Sequence, residues 1–354
     1  MTPFDHILFV GPHYKNHKGG IGAVLEIYSK NIQPFRFIPT MSYRSKFYEM
    51  FFFAGSVLKL FFTLLFNRKI KVIHIHTAID GSIVRKSVIC FVGKKIFSKK
   101  IICHIHAGAF EDRYKQRNSV YKSLCRFLVN NSETVIILSG RWMGFMQDTF
   151  RIKKGQVIRN PVERQIETVL PRNNSGITNF LFLGKITEEK GIFDLIKLIG
   201  EEQEYLRGKC KFFVGGNDEV ERLKKLICEN NIHDLVEYIG WTQDKEKDKY
   251  FRDCDYFILP TYYEAMPMTI LESFSYGKPV ISTPVGSIPE ILQHNYNGFL
   301  FAPGDMQSLK KLIREVIDSP SLSDNLRKNA LQKASVFYPE AITNELKSLY
   351  LEII

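Results

Sequence analysis

Residues 261–290 read TYYEAMPMTILESFSYGKPVISTPVGSIPE. They follow the β-branched and aromatic run YFILP (256–260) and contain a second such run, KPVIS (278–282). Two short apolar runs joined by a stretch of helical length imply a strand, a crossover helix and a parallel strand. Pro267 suits the first turn of that helix, where a missing N–H costs nothing. Gly277 stops the helix after about Tyr276. Glu264 then stands at the passage from strand to loop. Glu272 lies eight residues on, inside the helix and about two turns deeper on the same side. Free N–H groups at a helix start suit a phosphate. An ionised carboxylate only accepts hydrogen bonds, so it suits the hydroxyls of a sugar or a ribose.

The same alternation extends through the chain. HILFVG (6–11), KVIHIH (71–76), KIICHIH (100–106) and TVIILS (134–139) read as buried parallel strands separated by segments of helical length. A polar break near 163–178 includes VLPRNNSGITN. FLFLG (180–184), CKFFVGG (210–216) and LVEYIG (235–240) resume the pattern. The expected architecture is α/β, with two Rossmann-like, doubly wound domains facing a central cleft. Their expected limits are 1–165 and 166–336, with a C-terminal helix at about 337–354 packing back on the first. A length of 354 residues fits two domains, and ligands bind beyond the carboxyl ends of such strands.

Composition narrows the class. With 45% hydrophobic and 24% charged residues, the chain is not disordered. Its six cysteines are scattered without a CxxC pair, which fits reduced thiols better than a disulfide framework or a zinc site. The opening MTPFDHILFVGPHY lacks a basic region followed by an apolar one, so no signal peptide is expected. Residues 1–165 carry a net charge of +18 and the remainder −6. That asymmetry points the first half toward an anionic partner, namely nucleic acid, an anionic membrane surface or a phosphorylated substrate. A lysine-rich codon bias is the plain alternative. No nucleic-acid partner is expected, because the basic residues are not interleaved with aromatics in a recognised module. MFFFAGSVLKLFFTLLF (50–66) has one charge, Lys59, and is short for a membrane span. It sits where a crossover helix belongs and is expected to be a buried Rossmann-type helix. Its basic flanks, Arg44, Lys46, Arg68, Lys69 and Lys71, also suit a helix that shows an apolar face to a bilayer.

EAMPMTILESFSYGKPV resembles the Glu-x7-Glu segment of the retaining GT-B glycosyltransferases of family 4, the glycosyl transferases group 1. TPVGSIPEIL and NGFLF match downstream. GKITEEKGIFDLI (184–196), KGGIGAV (18–24), HIHAG (104–108) and IRNPV (158–162) are similar to further segments of that family. The resemblance implies that Lys185 and Lys190 clamp a donor diphosphate, neutralising charge on the leaving group. Relatives often have arginine at the first position, and lysine lacks its bidentate fork. Gly19 and Gly20 let backbone approach the ligand closely, although GGIG lacks the spacing of a dinucleotide fingerprint.

By the same resemblance Glu264 binds hydroxyls of the transferred sugar and Glu272 those of the ribose. The amides of Met266, Met268 and Thr269 face the sugar or diphosphate. Gly215, with Gly216 and Trp241, shapes the donor pocket, and Ala265 replaces the commoner glycine or serine. His106, at a strand's carboxyl end, contacts the sugar or positions the acceptor, and it joins Glu264 as a catalytic candidate. His74 and His76 are expected to be structural, while His13 and His17 are candidates for acceptor contact. Asp253-Cys254-Asp255 spells DxD but is read as structural, so neither a metal nor a cofactor is expected.

The implied function is retaining transfer of a hexose or N-acetylhexosamine from a nucleotide diphosphate sugar, a UDP-sugar favoured over a GDP-sugar. The implied acceptor is a glycan, lipid-linked, in bacterial surface polysaccharide (O-antigen or capsule) biosynthesis. The expected location is cytoplasmic, with the basic first domain contacting the inner face of an anionic membrane. Two alternatives are a GT-B-fold sugar-nucleotide epimerase, whose acid and base are not identifiable here, and a non-catalytic binding protein. Lys190, Glu264 and Glu272 together argue against the second.

Overall fold

The computed structural model describes residues 2–15, 19–169 and 176–354. His17 and the middle of the polar break lie outside them. The chain divides into two compact units, Met1–Val162 with Phe337–Ile354, and Glu163–Val336. The expected boundary at 165/166 compares with an observed one at 162/163.

The first unit holds a parallel sheet of β1 (Ile7–Gly11), β2 (Phe37–Pro39), β3 (Val72–Thr77), β4 (Lys100–Ile105), β5 (Thr134–Ile137) and β6 (Gly155–Val157). The strand order is β2-β1-β3-β4-β5-β6. The second unit holds β7 (Thr178–Leu183), β8 (Cys210–Gly215), β9 (Val236–Gly240), β10 (Tyr256–Leu259), β11 (Val280–Ser282) and β12 (Gly298–Leu300). Its order is β12-β11-β10-β7-β8-β9. In both sheets the chain starts in the middle, winds to one edge, then returns and winds to the other. The reversal falls between β1 and β3, and between β7 and β10. In sheets of this topology ligands bind beyond the carboxyl ends of the strands at the reversal.

Burial explains why these runs form strands. Every residue of β1, β3, β5 and β10 is buried, as expected for sheets covered by helices on both faces. Phe180 and Phe212 stack across β7 and β8 at 4.7 Å, and each buried aromatic contributes roughly 1.5–3 kcal/mol. The helix Pro339–Ile353 belongs to the first unit, where Tyr350 meets Phe4 edge-on at 5.7 Å.

One expectation is corrected. The apolar segment expected to be a buried helix forms the crossover helix Lys46–Phe66, but only 17% of its apolar stretch is buried. Ser56, Leu60 and Leu64 make a single inward stripe. A helix on the outside of a sheet has one face to bury, and this one is apolar on the other face as well.

Candidate active site

The loops at the reversal of the second sheet carry most of the expected donor residues. After β7 the chain runs through Lys185 to a short turn, Glu188–Lys190, and enters the helix Ile192–Glu201. Gly191 makes that entry with φ +68, and a Cβ there would stand 2.0 Å from the Pro260 carbonyl oxygen. Only glycine permits both the left-handed backbone and the contact. The loop after β7 is thereby pressed against the loop after β10. Tyr262 N–H donates to the Glu189 carbonyl (2.8 Å), and the Thr261 hydroxyl donates to the same oxygen (3.0 Å). The Tyr262 hydroxyl donates to Asp194 Oδ2 at 3.0 Å.

This clamp brings Lys190 to Glu264, and the Lys190 ammonium donates to Glu264 Oε1. Their side chains are 18% and 13% exposed. An ion pair this enclosed roughly breaks even in stability, because desolvation offsets attraction. Stability therefore does not account for the pair. A third loop holds Glu264 from behind. Gly286 (φ +55) lies against the Glu264 carbonyl, and Ser287 N–H donates to the Ala265 carbonyl at 2.9 Å.

Pro267 is the N-cap residue of the helix Met268–Ser275 rather than part of its first turn. Its carbonyl accepts from Ile270 N–H at 3.2 Å. Met268 and Thr269 therefore supply the first helical amides, which have no acceptor within the helix. Glu272 lies within this helix, and the Lys247 ammonium donates to its Oε1 at 2.8 Å. Lys247 was not among the sequence candidates. It sits in the helix Asp244–Asp253, DKEKDKYFRD, whose charges read as a solvated surface.

Lys185 is exposed and paired with Asp218 at 3.0 Å. Gly215 ends β8, where a Cβ would press to 2.6 Å from Leu183. Trp241 is 41% exposed, beside Gly240. The DxD triplet lies at the opposite, amino end of the sheet. Asp255 Oδ2 accepts from Asn179 N–H at 2.8 Å, and this ties β10 to β7.

In the first unit Gly19 and Gly20 start the helix Gly20–Asn31, in the loop leaving β1 at the sheet's reversal. Gly19 is extended, with φ −175, and a Cβ there would meet nothing within 4 Å among the described residues. His13 sits in the same loop, its N–H donating to the Met41 carbonyl.

His106 follows β4, and its Nε2 shares a hydrogen bond of 2.9 Å with His76 Nδ1. It also hydrogen-bonds the buried Asn160 of the IRNPV segment, a partnership the sequence reading missed. His74, His76, His104 and His106 stack on one face of β3 and β4, with ring centroids 4.1–5.3 Å apart. His74 Nδ1 meets the Tyr350 hydroxyl at 2.6 Å, and His74 Nε2 meets His104 Nδ1 at 3.2 Å. Burial pushes His74 and His106 down to about 3. It holds His76 and His104 well below the usual imidazole range. All four imidazoles are neutral at pH 7, and His106 alone among them reaches the surface. Ring nitrogens of His74, His76 and His104 lie within 4.8 Å of one another. The planes are 15–36° apart. The His74–His104 and His76–His106 hydrogen bonds join the stack, and His76 Nε2 and His104 Nε2 have no hydrogen-bond partner among the described residues.

Two doubly wound, parallel six-stranded units, with conjoined cations and carboxylates at the sheet reversal of the second, define the GT-B class of glycosyltransferase. Residues 171–333 match the family described as Glycosyl transferases group 1. The match spans nearly the whole of the second unit. A 41.2 kDa protein of the cps region of Klebsiella pneumoniae is 28% identical over 272 residues, covering 73% of this chain and 72% of that one. The lipopolysaccharide 1,6-galactosyltransferase of Escherichia coli K12 is 32% identical over 174 residues, 46% of this chain and 45% of that one. The crystal structure of Anabaena HepE in complex with UDP shares the fold, with a TM-score of 0.76 and 17% identity over 98% of this chain and 100% of that one.

Proposed function

We propose that this glycosyltransferase moves a hexose or N-acetylhexosamine from a nucleotide diphosphate sugar, a UDP-sugar before a GDP-sugar, to a glycan acceptor with retention of configuration. The observation that carries the reading is the Lys190–Glu264 pair at the reversal of the second sheet, with Glu272 in the adjoining helix. An incoming diphosphate supplies Lys190 with a new counter-ion. Glu264 is then free to accept from the sugar's hydroxyls, and Glu272 from those of the ribose. As the bond from the anomeric carbon to the phosphate oxygen breaks, negative charge grows on the diphosphate. Lys185, Lys190 and the amides of Met268 and Thr269 stabilise that charge. The departing phosphate takes the proton of the acceptor hydroxyl. The acceptor oxygen bonds to the anomeric carbon on the face just vacated, so configuration is kept. The chain's contribution is position and charge rather than a strong base.

The named relatives support a place in bacterial surface polysaccharide assembly, since one is encoded in a cps region and one acts on lipopolysaccharide. The UDP complex of Anabaena HepE supports the choice of uridine nucleotide. The basic first unit supports an anionic, lipid-linked acceptor met from the cytoplasmic side. Gly19, whose Cβ position is open among the described residues, supports close approach of a ligand to that loop. Glu264→Gln keeps the side chain's size and removes its charge. It is expected to lower kcat on the order of 10²–10³-fold while circular dichroism is unchanged. Turnover near that of the parent, or an inverted product anomer by NMR, overturns the proposal.

A further inference from the structure

The helix Lys46–Phe66 is apolar on both faces. Its inward stripe of Ser56, Leu60 and Leu64 is buried, with Phe53 and Val57 against the first unit's core. Outward, Phe47, Phe51, Leu58, Phe62 and Phe66 are 71, 58, 60, 52 and 79% exposed. Helices that remain in water carry a polar outer face, and an all-round apolar helix has a second apolar neighbour. A neighbouring stripe continues the surface: Val84 and Val88, on the helix Gly81–Cys90, and Phe91, just beyond it, are also exposed.

Charge identifies that neighbour. Exposed Arg44, Arg68, Lys69 and Lys71 stand at the two ends of the helix, with Lys59 between them. The helix has one acid, Glu49, and its carboxylate is engaged by the loop that precedes the helix. It accepts from Ser42 N–H (2.9 and 3.0 Å), the Ser42 hydroxyl (2.7 Å) and Arg44 N–H (2.9 Å). The outward face therefore presents apolar side chains and cations with no opposing acid from its own helix. A second copy of this chain would press one +18 half against another. A transmembrane course would pull Ser56, Leu60 and Leu64 out of the core and separate β2 from β3, between which the helix crosses.

We infer that this face seats the first unit on an anionic lipid bilayer, with the helix lying in the plane of the headgroups. Phe51, Leu58 and Phe62 enter the acyl boundary, roughly 5–10 Å deep, and the flanking cations meet lipid phosphates. The inference deepens the proposal of a lipid-linked acceptor by placing the enzyme where such an acceptor lies.

The test is flotation of the full chain with phosphatidylcholine vesicles, with and without phosphatidylglycerol, and with no sugar nucleotide present. Binding and donor chemistry then fail independently. The parent chain is expected to float with anionic vesicles, less so as salt rises, and to be released by alkaline carbonate. Arg68→Gln and Lys69→Gln are each expected to weaken partitioning about fivefold. The triple variant Phe51→Ser, Leu58→Ser, Phe62→Ser is expected to weaken it on the order of a hundredfold or more. Its melting temperature should hold, since the three side chains are exposed. No flotation, or equal and salt-independent flotation with neutral vesicles, overturns the inference. So does resistance to carbonate, which marks a span. A dimer in sedimentation that the triple variant abolishes overturns it in favour of a second copy.

Discussion

Gly286→Ala tests whether the loop behind Glu264 sets its position. At φ +55 an alanine Cβ would stand 2.0 Å from the Glu264 carbonyl oxygen, 2.8 Å from its carbon and 3.0 Å from the Ala265 oxygen. Backbone must retreat by about 1 Å before the contact is tolerable, and Glu264 moves with it. The loops cannot simply part, because Ser287 N–H is bonded to the Ala265 carbonyl. A left-handed alanine costs roughly 1–2 kcal/mol, and weakening that bond adds about 1 kcal/mol. The melting temperature of a unit this size is then expected to fall by roughly 5–10 °C. A displacement of about 1 Å at a positioning carboxylate is expected to lower turnover on the order of a hundredfold. Gly208→Ala is the control. Its φ is +74, nothing lies within 4 Å of its Cβ, and it precedes β8 at the sheet's amino end. It carries the backbone cost alone, so stability should fall by roughly 1–2 kcal/mol with turnover intact. Melting curves and donor turnover of both variants decide the matter. Parent-like turnover in Gly286→Ala, or equal loss in Gly208→Ala, would show that this loop does not set the position of Glu264.

Lys247→Ala leaves Glu272 without its partner at 2.8 Å. The donor KM is expected to rise about tenfold with kcat less affected, the sign of lost ground-state binding, and an unchanged KM removes Lys247 from the site. The histidine stack sets a pH window. His74 and His106 have folded pKa values of about 3, against about 6.5 unfolded, and His76 and His104 are shifted the same way. Below pH 6.5 the unfolded chain binds more protons, so stability is full above that pH and falls as pH drops toward 3, by up to about 1.4 kcal/mol per pH unit for each histidine. Buried Lys86, pushed down to about 7 by burial, adds a slope of one group between pH 7 and its unfolded value. The urea midpoint should therefore fall more steeply from pH 6.5 to 5 than from pH 8 to 7, and equal slopes would contradict the stack's neutrality.

Legibility in the sequence followed burial. Interior strands such as KIICHIH were readable because both faces are covered, leaving a continuous apolar run. The strands that escaped notice, Phe37–Pro39, Gly155–Val157 and Gly298–Leu300, are three residues each and form sheet edges. Edge strands are short and half solvated, so they carry little periodic signal. Glu264 and Glu272 were legible because their spacing within a strand–loop–helix passage is local, while Lys190, 74 residues from Glu264, was legible only through the resemblance of its loop. Lys247 was not, because its partner lies 25 residues away and nothing in a run of alternating charges marks one lysine from the next. Asn160 likewise reads as the end of a domain until the fold places it beside His106. The helix Lys46–Phe66 was found by composition, but composition is silent on how much of an apolar helix a neighbour covers.

The second unit is expected to bind a nucleotide diphosphate sugar through Lys190, Glu264 and Glu272. The measurement is a panel of UDP-, GDP- and ADP-sugars scored by thermal shift and by slow hydrolysis, with the parent chain beside Lys190→Ala. Stabilisation and turnover by a UDP-sugar are expected, both lost in Lys190→Ala. A panel in which no nucleotide sugar binds, or in which Lys190→Ala binds as the parent does, would contradict it.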